Sequence, residues 1–262
     1  MKNWGKILGL VALLGVGIAV AAEVVSKEQP ISYSWHYKMT VTVETPEGIK
    51  SGSAVREVSV TMEPQSQDPD HPYYPKKTLK GEAVVVDLGG RGKLFALLSG
   101  PWLGVNHADS IVFHAFPMPD GGGGLTLNGV KYYSTLKNAK AVLRFPLYPA
   151  LVTFTDLNDP KSVTPVLEVN CSDPGGACSQ QEMHIKADRF EELFGKGVRL
   201  KDITIEMTDE NISTGLISIL KWLPEYYDRM LDGLRYNTYK SQSSFANSLA
   251  SGAFSTEESP YE

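Results

Sequence analysis

Histidine is the residue type most often found in catalytic and zinc sites, and this chain has five of them. His107 and His114 lie on one predicted helix, two turns apart. That spacing separates them by about 10 Å, which is too far for two ligands of one zinc ion. The chain also lacks the His-Glu-x-x-His segment of zinc proteases. No metal site and no cofactor is therefore predicted.

A serine nucleophile of the α/β-hydrolase type requires Gly-x-Ser-x-Gly at a turn between a strand and a helix. Ser99 is the nearest match, but the first glycine is missing and Pro101 follows Gly100 directly. The glycine cluster at 89–92 has strand-like sequence on both sides and no Lys-Ser/Thr pair. It predicts a hairpin turn and not a phosphate-binding loop. These motifs predict no catalytic residue.

Two acidic segments resemble fragments of calcium-binding loops, namely Asp68-x-Asp70 and the run from Asp156 to Asp159. Neither continues to the glycine and the terminal glutamate of an EF-hand loop. The pair Asp159-Pro160 is a typical turn start, and aspartates in such positions bond to their own backbone in Asx-turns. Turn formation therefore explains these residues without a cation.

The two cysteines of the chain, Cys171 and Cys178, bracket the turn-forming segment Ser-Asp-Pro-Gly-Gly-Ala. Outside the cytoplasm such a pair can close a small surface loop, so we expect a disulfide between them. Two free thiols are one alternative. Metal binding is another, and it would need two more ligands, for which His184 is the only nearby candidate.

The N-terminus has the pattern of a secretory signal. Lys2 and Lys6 precede an uncharged apolar stretch from Ile7 to Ala22. The stretch ends in alanines that a signal peptidase accepts, but with flanking apolar residues it also approaches the length of about 20 residues that spans a bilayer. Residues 1–22 are therefore predicted to be a signal peptide or a signal anchor. The lysines place the N-terminus in the cytoplasm and the body across the membrane.

Composition and charge exclude several classes of protein. The chain is 42% hydrophobic and 21% charged, which is ordinary globular composition and excludes collagen-like, coiled-coil and wholly disordered proteins. Its formal net charge is −5. Nucleic-acid binding rests on clustered Lys and Arg, and the chain has no such patch, so we expect no nucleic-acid partner.

Hydrophobic periodicity predicts the elements that must position any site. Period-two alternation predicts two hairpins, 33–45 with 49–62 and 82–88 with 93–99, separated by an exposed Pro-rich loop at 63–77. The further predicted elements are strands at 142–145, 151–154 and 200–207, and helices at 106–116, 187–194 and 214–220 with a continuation over 226–236. The predicted fold class is α+β, a mostly antiparallel sheet built from long hairpins with a few short helices packed on it.

The chain divides into a leader, one domain and a tail. We predict a linker at 23–32, a single α+β domain at 33–237 and a disordered tail at 238–262. The tail is rich in Ser, Asn, Ala and Gly and ends acidic, so it offers little apolar surface to offset the entropy of ordering.

Several segments, in order along the chain, resemble an uncharacterised family of small bacterial envelope proteins with an N-terminal membrane segment. The segments that carry the resemblance are 35–48, 52–55, 81–88, 95–98, 148–154, 158–163, 197–200, 214–215 and 222–223. The resemblance implies an exported α+β body and no assigned activity. The chain departs from the family in the loop from Cys171 to Cys178 and in its extension beyond Trp222.

These observations predict an envelope protein in the periplasm, or in the inner membrane with its domain facing the periplasm. The favoured function is a non-catalytic binding module, held to the membrane by the N-terminal segment, with an envelope protein as partner. One alternative is an envelope hydrolase whose site is assembled from distant residues, with His107, Asp109, His114 and Asp159 as its first candidates. A third is a structural or prophage-borne protein without a ligand.

Overall fold

A long antiparallel hairpin forms the frame of the molecule. In the computed structural model, β1 (Ile31–Thr45) pairs with β2 (Gly48–Pro64) along its whole length. Alternate residues of β1 are fully buried, among them Tyr37, Met39 and Val41. Successive side chains of a strand point to opposite faces, so one face of the hairpin belongs to the core. The predicted first hairpin is confirmed.

The structure describes residues 29–65, 72–101, 107–172, 180–238, 241–242 and 245–257. The predicted signal segment at 1–22 and Cys178 lie outside this range. The other strands, in chain order, are β3 (Tyr73–Lys80), β4 (Val84–Asp87), β5 (Lys93–Ala96), β6 (Lys140–Val142), β7 (Leu151–Phe154), β8 (Val163–Pro165), β9 (Leu167–Cys171), β10 (Met183–Asp188) and β11 (Arg199–Thr208). The α-helices of the described residues are α1 (Ile111–Ala115), α2 (Leu127–Thr135) and α3 (Phe190–Phe194).

The strands form two packed sheets and a projecting hairpin. The larger sheet has the order β3-β2-β1-β11-β6, and the smaller has the order β4-β5-β7-β8. The strands β9 and β10 pair with each other. Each strand pair described is antiparallel, which confirms the predicted α+β class of long hairpins with few short helices.

The C-terminal segment covers the outer face of the smaller sheet and was predicted wrongly. Phe95 and Phe154 of that sheet contact Phe254, whose side chain is fully buried. Ser255 also forms a bridge to Glu82. Residues 245–257 are therefore packed, although 238–262 were predicted to be a disordered tail. The apolar residues of this segment are few, but Ala246, Leu249 and Phe254 are buried in one cluster with residues of the sheet.

Further differences concern local structure. Strand β3 lies mostly inside the predicted exposed loop at 63–77, because it is the edge strand of the larger sheet and an edge tolerates a proline. The predicted helix at 214–220 is only a 3₁₀ turn, Leu216–Ser218. A second 3₁₀ turn ends at Tyr226, and the rest of 226–236 is not helical. Helix α2, which was not predicted, begins where the Thr126 side chain accepts a hydrogen bond from the Gly129 amide.

Candidate functional site

A buried arginine connects the two sheets. The side chain of Arg56, on β2, is fully buried, and its guanidinium donates to the carbonyl oxygens of Glu82 at 3.0 Å and Ala96 at 3.3 Å. It also donates to the Tyr37 hydroxyl at 3.4 Å, and that hydroxyl in turn donates to the Ala108 carbonyl at 2.7 Å. Carbonyl and hydroxyl oxygens thus take up the donors of a buried cation. The arrangement holds the sheets and the loop before α1 in one geometry.

His107 lies next to this arginine and is neutral at neutral pH. Its Nε2 is 2.8 Å from the Leu147 carbonyl, while Nδ1 is buried without a hydrogen-bond partner. Burial, followed by the nearby positive charge of Arg56, lowers the pKa of His107 to about 4. A histidine with that pKa is a weak base and holds no proton near pH 7.

The four residues proposed for a hydrolase do not form one site. Asp109 is buried and accepts hydrogen bonds from Lys77 at 2.9 Å and Ser110 at 2.6 Å. His114 is exposed on α1, and Asp159 caps a 3₁₀ turn through the Lys161 amide. None of these four residues lines the small cavity or the groove described below.

Ser99 also lacks the contacts of a nucleophile. Its Oγ is buried and makes no hydrogen bond in the described part of the chain, so it makes none to the nearby His107. A serine nucleophile needs a base within hydrogen-bond reach. The serine lies beside the strand end where the Ala150 amide bonds to the Ser99 carbonyl. The interpretation of Ser99 as a strand-end residue agrees with this position.

The acidic segments and the cysteines have structural roles where they are described. Asp156 accepts bonds from the backbone and side-chain nitrogens of Asn158, as expected of an Asx-turn. Among the described residues no three His, Cys, Asp or Glu side chains could hold a metal ion together. Cys171 is buried at the end of β9 and is not a free thiol. Its pairing with Cys178 stays a prediction.

A small cavity of about 190 Å³ lies at the open end of the core, beside Trp35, Leu136 and Met207. The indole nitrogen of Trp35 is buried there without a partner among the described residues. Its ring packs against Phe113 and Tyr133. The volume is below the range of about 300–1,000 Å³ that is usual for ligand sites. The cavity is therefore a weak candidate.

A larger groove lies between the β9–β10 hairpin and the segment that precedes β7. Its open part encloses about 470 Å³, within the range of ligand and peptide sites. We call it the β9 groove. Its walls are built mainly from proline, aromatic and aliphatic side chains, with a few polar residues at the rim: Pro101, Phe145, Tyr148, Pro149, Pro165, Leu167, Glu168, Val169, Asn170, Lys186 and Phe245.

The rim of the groove is nearly neutral in charge. Glu168 forms ion pairs with Lys186 at 3.4 Å and with Arg189 at 3.7 Å. Arg189 also pairs with Glu192 at 2.6 Å, so two carboxylates balance two cations and the groove has no strong field. Sequence reasoning missed this site because its walls come from five separate parts of the chain. The local signal was the run of aromatic and proline residues from Phe145 to Pro149.

Comparison with known proteins identified no relative. The chain matched no family model, no curated protein and no solved structure. Among the described residues no helix is long and apolar enough to cross a membrane. The predicted membrane segment at 1–22 lies outside those residues and stays a prediction.

Proposed function

We propose that this chain is an exported envelope protein whose body binds another protein and performs no catalysis. The β9 groove is the observation that carries the proposal. It is open and large enough for a ligand, it combines apolar walls with polar groups, and the titratable residues considered as catalysts lie elsewhere. Exposed apolar grooves with a polar rim are typical of interaction sites.

Export is supported by the sequence of the first 22 residues. Two lysines before an uncharged apolar stretch are typical of a signal peptide or a signal anchor. The resemblance to bacterial envelope proteins and the cysteine pair agree with an oxidising compartment. In this proposal the body faces the periplasm, released or held at the inner membrane.

Site-specific photo-crosslinking tests the binding function. A photoreactive phenylalanine analogue replaces Tyr148, which lines the groove, in the full-length chain expressed in its own host. The matched control replaces Tyr74, which is 60% exposed on β3 of the other sheet. We expect one discrete protein adduct from position 148 and none from position 74. Equal labelling at both positions, or labelling at neither, would contradict the proposal.

Cell fractionation with intact-mass measurement tests export. A soluble chain that begins near Glu23, or a full-length chain in the membrane fraction, is the expected result. A full-length chain in the cytoplasm would refute export.

A further inference from the structure

We infer that the β9 groove binds an extended, uncharged peptide segment of its partner, which adds a strand to the outer edge of β9. This inference rests on the proposed binding function and specifies the chemistry of the ligand. Strand addition is a common mode of peptide recognition, in which main-chain hydrogen bonds supply affinity and alternate side chains occupy pockets.

The hydrogen bonds of the hairpin show which backbone groups of β9 face outward. The Ser172 amide bonds to the Glu182 carbonyl across the hairpin, and the Arg189 amide bonds to the Val166 carbonyl at its other end. In antiparallel pairs the bonded and non-bonded positions alternate. The register pairs Val169 with Ile185 and Leu167 with Asp188, at non-bonded positions. The N–H and C=O groups of Leu167 and Val169 therefore point away from β10.

The chain does not close this edge with the residues described beside it. The Val166 amide makes the last bond to β7, at the Leu151 carbonyl. On the other side of β7, the Ala150 amide donates to the Ser99 carbonyl, and the Ala150 carbonyl accepts from the Leu97 amide. Pro149 comes next and has no N–H to donate. The β9 groove begins where this ladder ends, so an added strand would continue the ladder.

Another sheet edge carries features that oppose pairing. Strand β3, the edge of the larger sheet, contains Pro75, Lys76 and Lys80. Lysine and proline on an edge are the devices by which proteins avoid unwanted strand addition. Leu167 and Val169 of β9 instead face outward next to the apolar walls of the β9 groove.

The shape and charge of the groove favour a peptide over a small molecule. Besides the rim side chains of Glu168, Asn170 and Lys186, its polar groups are the outward main-chain groups of a strand. These groups repeat every two residues and match a second backbone. The compensated rim charges give no preference for an acidic or basic ligand. One set of alternate side chains of the bound strand would pack against Pro101, Tyr148 and Phe245.

A proline substitution tests the pairing without removing a bond of the hairpin. Val169→Pro deletes only an outward N–H. Ile185→Pro is the matched control, because it deletes the corresponding outward N–H on the opposite edge of the same hairpin. The probe is a peptide selected from a random displayed library on the full-length chain, measured by fluorescence anisotropy. We expect Val169→Pro to weaken its binding about tenfold or more, and Ile185→Pro to change it less than about twofold.

Methylation of the peptide backbone gives a second readout. N-methyl groups at alternate residues of the probe should abolish binding, and those at the intervening residues should leave it unchanged, because only every second amide faces β9. Failure to select a peptide, equal effects of the two proline variants, or insensitivity to methylation would overturn strand addition. If Tyr148 still gives its adduct in that case, the binding function stands and only the mode of recognition is wrong.

Discussion

Gly52 marks the closest approach of the two sheets, and its replacement by alanine should strongly destabilise the fold. A Cβ atom at this position would lie 1.9 Å from the carbonyl oxygen of Val85 on β4. That distance is about 1.5 Å short of the 3.4 Å at which ordinary contacts begin. The obstacle is backbone on both sides, so no side chain can rotate away. Strands β2 and β4 would have to separate, although the neighbouring Val84 and Val86 are fully buried.

The expected cost of Gly52→Ala is at or above the upper end of the usual range for overpacking, about 3 kcal/mol. For a domain of this size that corresponds to a decrease in Tm of about 6–12 °C. Urea unfolding followed by tryptophan fluorescence measures the free energy of unfolding directly.

The matched control is Gly90→Ala, in the turn between β4 and β5. No atom lies within 4 Å of a Cβ at Gly90, so its unfolding free energy should change by less than about 0.5 kcal/mol. If Gly52→Ala is as stable as Gly90→Ala, the close contact between β2 and β4 does not exist, and the packing described for the two sheets is wrong.

Three further predictions concern pH, the C-terminal segment and the cysteines. Because the pKa of His107 is lowered, the unfolded chain binds a proton between about pH 6.5 and 4 that the folded chain does not bind. The free energy of unfolding should therefore fall by about 2–3 kcal/mol over this range, and by less in His107→Gln. Equal pH profiles of the two proteins would contradict the burial of His107. Phe254→Ala should lower the free energy of unfolding by about 3–5 kcal/mol, whereas Tyr236→Ala, at a side chain 70% exposed, should leave it nearly unchanged. If neither variant changes it, the C-terminal segment is not packed and the prediction of a disordered tail is correct. The intact mass after alkylation without reduction should show no modified cysteine. Replacement of both Cys171 and Cys178 by serine should lower the free energy of unfolding by about 2 kcal/mol. Two alkylated thiols would exclude the disulfide.

Local periodicity was sufficient to predict most of the sheet. Strands β1, β2, β7 and β11 were found within a few residues of their ends, because alternation of apolar and polar side chains follows directly from burial of one strand face. Strand β3 was missed for the opposite reason. An edge strand with prolines and lysines has the composition of a loop, and only its pairing with β2 makes it a strand.

The predicted tail shows a different limit of composition. A segment rich in serine and alanine has little apolar surface on average, but its Leu249 and Phe254 pack against one face of the smaller sheet. Burial of a few apolar side chains can then offset the conformational entropy that is lost when the neighbouring residues become ordered. Whether such a face exists cannot be read from the segment itself.

By itself, the sequence determined the antiparallel α+β class, the main hairpins and the turn roles of Asp156 and Asp159, since each depends on residues that are close in the chain. The tertiary structure alone decided that His107 is neutral, that Arg56 connects the two sheets and that β9 borders a groove. These properties depend on burial and on contacts between residues far apart in sequence. Desolvation and backbone pairing depend on which distant residues become neighbours in the folded chain, so a local sequence pattern does not predict them.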